Sequence, residues 1–257
     1  MGPERSPVPR ALAWLRAHGP LPAIVLLALG LRLYGISDNA LYPDELHSID
    51  FASWARAFQV DIHPPLYFLL LAGWSQLGPG SDAFLRALSA LCGALSVVPM
   101  FWIVRAWFDR RAALWASLLW ALFAFNVFFS QEIRGYALLT LLSLCTAAAA
   151  VIYIRGGRRR VLVGYVLAAA AAAHVHNLGG LAAVAANLLF VAGYRRHELR
   201  RRLRPWIASQ LVCALLCAPA LYQLVVQKLW AMQTEWIPLI STSCALESTA
   251  LSVRSVT

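Results

Sequence analysis

Residues 65–77 read PLYFLLLAGWSQL, and whether that run crosses a membrane decides the topology of the whole chain. It follows His63-Pro64 and stops at Gly78-Pro79-Gly80. As a helix its 13 residues would rise only about 20 Å, against roughly 30 Å of hydrocarbon in a bilayer. Leu66, Leu69, Leu70, Gly73, Trp74 and Leu77 recur at helical spacing. The run is therefore expected to lie along the membrane interface rather than to span it.

The charges test that reading. Seven other apolar runs are expected to span, at 20–36, 86–104, 112–129, 136–154, 161–175, 177–194 and 205–223. With 65–77 left out, segments 1–19, 105–111, 155–160 and 195–204 share one side, and they hold sixteen of the 22 Lys and Arg residues. Nine of the twelve acidic residues fall on the other side or its border. Counting 65–77 as a span would break this segregation, so the positive-inside rule puts the arginine-rich segments in the cytoplasm. The expected fold class is an all-α, polytopic membrane protein of about seven transmembrane helices, with amphipathic interfacial helices in a long first outer loop, 37–85. Leu46, Ile49, Trp54 and Phe58 supply a loosely apolar face early in that loop.

Composition agrees: 60% of the 257 residues are hydrophobic and only 13% charged. The net charge of +10 lies in short clusters between apolar runs, which reads as topology and not as nucleic-acid binding. Five scattered cysteines lack metal-ligand spacing, and four of them sit inside apolar runs. Arg5, Arg10 and Arg16 before the first apolar run resemble a signal peptide, but no small-residue cleavage site follows and many spans do, so a retained first helix is expected.

In this topology every polar motif faces the outer side. Asp44 and Glu45, with His47 close behind, follow the first span. Asp44 reads either as a helix cap or as a carboxylate able to take a proton from a hydroxyl at the lipid surface. His63 either caps the helix begun by Pro64 and Pro65 or meets a phosphate at headgroup level. Arg86 is either a snorkelling arginine or, at the outer end of a span where positive charge is scarce, a phosphate ligand. SQEIRGY (130–136) joins two apolar runs and carries Gln131, Glu132, Arg134 and Tyr136, either as an ion pair closing the turn or as the wall of a site. HVHN (174–177) places His174, His176 and Asn177 in another outer connection. The i, i+2 spacing suits metal poorly on a regular helix, so polar substrate contact or solvation is favoured over a divalent metal. No P-loop, GxSxG, HExxH or dinucleotide fingerprint occurs.

The ordered set YPDELHS (42–48), DIHPPLYFLLLAGW (61–74), FLRALSALCGAL (84–95) and FFSQEIRGYALL (128–139) resembles the GT-C glycosyltransferases. In particular it is similar to the bacterial branch of the dolichyl-phosphate-mannose protein mannosyltransferases, itself similar to the aminoarabinose transferases of lipid A. The resemblance covers about residues 20–240. It implies transfer of a sugar, with inversion, from a polyprenyl-phosphate donor to a lipid, glycan or protein acceptor at the outer face of the cytoplasmic membrane. It also implies Asp44 as the catalytic base with Glu45 beside it, and His63, Arg86, Arg134 and Tyr67 near the donor phosphate and lipid. Gln131, Glu132, Tyr136, His174, His176 and Asn177 would wall the site, hydrophobic walls from 65–77 would hold the polyprenyl chain, and no metal ligand set is expected.

The implied organisation is a cytoplasmic segment 1–19, a catalytic membrane module 20–228 and a tail 229–257. The Ser/Thr-rich tail STSCALESTALSVRSVT departs from the family, which leads to the expectation of a shortened member. A non-catalytic membrane subunit and a transporter of a lipid-linked substrate are the competing readings. The second would need charged or broken helices near the bilayer midplane, which the apolar runs scarcely offer.

Overall fold

The computed structural model describes residues 19–53, 56, 63–193 and 196–231, the last stretch with side chains over 201–226. The basic N-terminal segment, the Ser/Thr-rich tail and the expected apolar positions Trp54 and Phe58 lie outside the described residues. Those described form helices and no strand: α1 (Leu21–Leu33), α2 (Pro43–Phe51), α3 (Leu66–Ser75), α4 (Asp82–Leu95), α5 (Val97–Trp107), α6 (Arg110–Leu122), α7 (Ala124–Phe129), α8 (Tyr136–Gly156), α9 (Val161–Val175), a 3₁₀ turn (Asn177–Gly179), α10 (Gly180–Ala192) and α11 (Arg196–Ala231).

All seven expected spans are helical, but they are not equal. Three stretches are long and apolar enough to cross a membrane: Asp82–Trp107, Tyr136–Gly156 and Arg201–Val226. α1, α9 and the stretch Asn177–Ala192 are apolar but shorter. The run 112–129 is interrupted at Phe123, whose extended backbone (φ −64°, ψ 112°) separates α6 from α7. Arg32, fully buried at the end of α1, donates from Nη1 to the Ala121 carbonyl (3.2 Å) and from Nε to Ser130 Oγ (3.2 Å). A carbonyl held by a side chain need not be met by the next helical turn.

Polar contacts sort the helix ends into two groups. At one end Arg155 donates to the Ala106 carbonyl (3.1 Å), and Arg202 donates to the Tyr153 and Ile154 carbonyls (2.9 and 2.6 Å). The Tyr153 carbonyl also accepts from the Gly157 N–H (2.8 Å), and Gly157 closes the helix in the left-handed region (φ 66°). At the opposite end Gln131 donates to the Tyr34 carbonyl (2.8 Å), Arg134 meets Asp44, and Gln223 reaches the His63 carbonyl (3.4 Å). The successive long elements therefore alternate in direction, with an arginine end and a polar end.

Both ends of α3 meet the polar end. His63 lies against His176 (ring centroids 5.3 Å), while Trp74 donates to the Phe84 carbonyl (2.7 Å) and stacks on its ring at 4.9 Å. α3 therefore runs across that end of the bundle.

Between helices in lipid there is little hydrophobic driving force, so close packing of small residues and hydrogen bonds do the work. Ala28, Ala90, Ala113 and Ala121 are fully buried where α1, α4 and α6 approach. Elsewhere Trp206 stacks on Phe190 (4.4 Å) and its Nε1 donates to Asn187, which with Tyr165 donates to Gln210 Oε1. That network fastens α9, α10 and α11 together.

Candidate active site

The polar end is built on a buried ion pair. α2 starts at Pro43, where a fixed φ suits the first helical position and the missing N–H costs nothing. The helix is capped by Glu45, not by Asp44: the Tyr42 N–H donates to Glu45 Oε2 (3.0 Å). Glu45 also accepts from Arg86 Nε (2.9 Å) and Nη2 (2.8 Å) and from the Ile133 N–H (2.9 Å). Arg86 spends its remaining N–H groups on the carbonyls of Ile36 (2.8 Å), Asn39 (3.0 Å) and Ala40 (3.3 Å). A guanidinium has five N–H donors, and all five are committed. The pair is 2% and 1% exposed. Burial pushes the Glu45 carboxyl up, but the Arg86 and backbone hydrogen bonds outweigh it and hold the group below its ordinary value.

Arg86 is buried rather than snorkelling, and its N–H groups are engaged within the protein. Glu45 accepts four hydrogen bonds, all from protein donors. Together they clamp the 36–40 loop, α2, α4 and the 130–135 loop into one unit.

What that unit presents is Asp44. Its side chain is 67% exposed and its Oδ2 lies 3.7 Å from Arg134 Nη2. Arg134, almost buried, donates from Nη1 to the Asp44 carbonyl (3.2 Å) and to Ser48 Oγ (3.4 Å). The ion pair of this loop thus joins Arg134 to Asp44 across helices rather than to Glu132 within the turn. Arg134 also sits 5.6 Å from the Tyr136 ring. Its own carbonyl accepts from Ser89 Oγ, which lies 3.3 Å from the buried Tyr67 hydroxyl. Gly135 makes room for this: a Cβ there would meet Val175 and Tyr67 at 3.1 and 3.4 Å.

Ser48, His63, Tyr67, Arg134, Tyr136 and His176, together with the apolar Pro64, Phe68 and Val175, line a pocket of about 10 Å³, room for one water molecule. Burial, then the neighbouring His63 and Arg134, push the His176 imidazole below its ordinary value, and its Nδ1 accepts from the Leu178 N–H (3.1 Å). Tyr136 also walls a second cavity of about 380 Å³, lined by Phe125, Phe129, Ala137, Leu139 and the hydroxyls of Ser96 and Ser130. That apolar space lies between α7 and α8. The expected lipid wall, 65–77, instead turns Tyr67, Phe68 and Leu71 into the core beneath the site.

Other expected wall residues separate. Burial, then the nearby carboxylates Glu45 and Asp44, raise the half-buried Glu132 carboxyl above its ordinary value. Gln131 is spent on the carbonyls of Arg32 (3.2 Å) and Tyr34 (2.8 Å) at the end of α1. His174 turns away to the Leu216 carbonyl (2.9 Å), and Asn177 lines a different cavity with Cys213 and Cys217. Sequence reasoning missed Ser48, whose signal was its place one helical turn after Asp44, and Phe125 and Phe129, hidden in an expected span. Among the described residues no group of three His, Cys, Asp or Glu side chains converges as a metal site.

Residues 62–223 match the family model described as dolichyl-phosphate-mannose-protein mannosyltransferase. The match begins after Asp44, so the place of that residue rests on the contacts above. No curated protein matches the chain. The matched stretch is well over half of the 257 residues and contains His63, Arg134 and His176, and the chain belongs to the dolichyl-phosphate-mannose-protein mannosyltransferase family of membrane glycosyltransferases.

Proposed function

We propose that the chain transfers a sugar from a polyprenyl-phosphate donor to a hydroxyl-bearing acceptor at the outer face of the membrane, with inversion, and that Asp44 is the base. The observation that carries this reading is the exposed Asp44 carboxylate beside Arg134, whose side chain also lines a water-sized pocket that shares Tyr136 with an apolar cavity. A lipid-linked sugar phosphate calls for apolar walls for its tail and polar side chains for its phosphate, and the residues on the two sides of Tyr136 supply both kinds. Phe125, Phe129 and Leu139 suit the tail, and Arg134 with His63 suits the phosphate.

In the reaction Asp44 accepts the proton of the acceptor hydroxyl as its oxygen bonds to the anomeric carbon. The anomeric carbon–oxygen bond to phosphate breaks, and the pair of electrons leaves with the phosphate. Arg134, which keeps N–H capacity beyond its bonds to Asp44 and Ser48, offsets the charge that develops there. Glu45 and Arg86 act by position alone, holding the helix that carries Asp44.

The test is transfer from a radiolabelled polyprenyl-phosphate sugar in membranes carrying the chain. Asp44→Asn is expected to lower transfer by about 10²-fold or more while donor binding persists. Wild-type transfer by Asp44→Asn would remove Asp44 as base. No transfer by the wild-type chain with any lipid, glycan or protein acceptor would favour a non-catalytic membrane subunit.

A further inference from the structure

The arginine end carries a groove that the sugar-transfer site does not use. It has a volume of about 680 Å³ and runs between α5, α8 and α9. Its walls are apolar and its floor is made of small residues, among them Ala148, Ala149, Gly164 and Ala168. A Cβ at Gly164 would meet nothing within 4 Å, so the space there is open. Two lining residues differ from the rest: Trp102 and Arg160. Arg160 is exposed, stands at the start of α9, and no described carboxylate pairs with it. Arg158 and Arg159 precede it in sequence, and Arg155 is fixed nearby on the Ala106 carbonyl.

The depth of the groove decides what fits. On α9 its lining runs from Arg160 to Ala171, and on α8 from Ile152 back to Leu142. At 1.5 Å per residue each is about 15 Å deep, half of a roughly 30 Å hydrocarbon core. The groove therefore follows one leaflet, from its headgroup level to the midplane. A neutral apolar guest would have no use for the charge at the mouth. An anionic phospholipid matches both features, with an acyl chain along the small residues and its phosphate at Arg160, where an indole also favours the interface.

We propose that this groove is a binding site for an anionic phospholipid of the leaflet at the arginine end. It lies at the opposite end of the bundle from Asp44 and stands whether or not the chain transfers sugar. The full chain, purified in detergent and stripped of lipid, would be titrated with phosphatidylglycerol or phosphatidylcholine of identical acyl chains and read by native mass spectrometry. The wild-type chain is expected to retain phosphatidylglycerol about fivefold more tightly, the worth of one arginine at the headgroup. Gly164→Leu, which fills open space on a helix that tolerates leucine, should remove retention of both lipids. Arg160→Gln should keep both and lose the preference, whereas Arg111→Gln, at the same end but outside the groove, should leave it intact. Equal retention of the two lipids by the wild-type chain overturns the proposal. So do wild-type behaviour of Gly164→Leu and Arg160→Gln together, and equal loss of preference in Arg111→Gln. Gel filtration and circular dichroism confirm that each variant is folded, and Arg160→Gln, an exposed change, decides the matter if Gly164→Leu is not.

Discussion

Asp44 and Glu45 are neighbours in sequence, yet their surroundings give them opposite work. Successive residues on a helix point about 100° apart, so one carboxylate turns into the core and the other to solvent. Glu45 has Arg86 and two backbone donors around it; removing its charge leaves a buried guanidinium uncompensated. Glu45→Gln is therefore expected to cost about 3–5 kcal/mol, seen as a large fall in melting temperature in detergent. Asp44→Asn, being exposed, should melt as the wild type does, while losing transfer. The acid side follows from the same contacts. Because the folded-state pKa of Glu45 is lowered, the unfolded chain takes up its proton first as pH falls below about 4.5, so the stability Glu45 contributes is present above that value and lost on acidification. His176, also lowered, adds a loss that starts as pH falls below about 6.5. Glu132 works the other way: its raised pKa means stability declines as pH rises from about 4.5 toward its folded value, and Glu132→Gln should remove that decline. The sequence made the motif YPDE visible as a site. It could not say which carboxylate was inward, because that depends on Arg86 arriving from 41 residues away.

At the scale of elements, local signals were legible and breaks were not. Prolines before α3 and the Gly-Pro-Gly after it bounded that helix within two residues, because both act on the backbone itself. The interruption at Phe123 left no local trace. It depends on Arg32 holding the Ala121 carbonyl, and a lone arginine at the end of an apolar run reads as a border charge. The turn between α9 and α10 shows a third case, where a close approach demands a glycine. A Cβ at Gly179 would overlap the Ala172 carbonyl, which is backbone and cannot rotate aside. Gly179→Ala is expected to destabilise the chain by about 1–3 kcal/mol through overpacking. The same change at Gly180, where a Cβ meets nothing within 4 Å, should be harmless, and paired thermal melts would separate the two.

For the molecule as a whole, the question posed by residues 65–77 becomes one of sides. Sixteen basic residues gather in segments that a seven-span path places together, and the contacts of Arg155 and Arg202 bring the corresponding helix ends together in space. Segregated charge was legible because it is additive along the chain; the unequal helix lengths were not, since hydropathy does not reveal where a buried arginine halts a helix. Single cysteines on a cysteine-free background can test the arrangement at three exposed positions: Asp38 after α1, Leu77 after α3 and Arg158 after α8. In sealed vesicles of known orientation, a membrane-impermeant maleimide should label Asp38→Cys and Leu77→Cys from the same side and Arg158→Cys only from the other. If α3 crossed the bilayer, Leu77→Cys would label with Arg158→Cys instead. The bundle would then need another span to return α4 to the polar end, and the apposition of Asp44, His63 and Arg134 could not hold in the membrane. Labelling of Leu77→Cys is thus the measurement on which both the fold and the site depend.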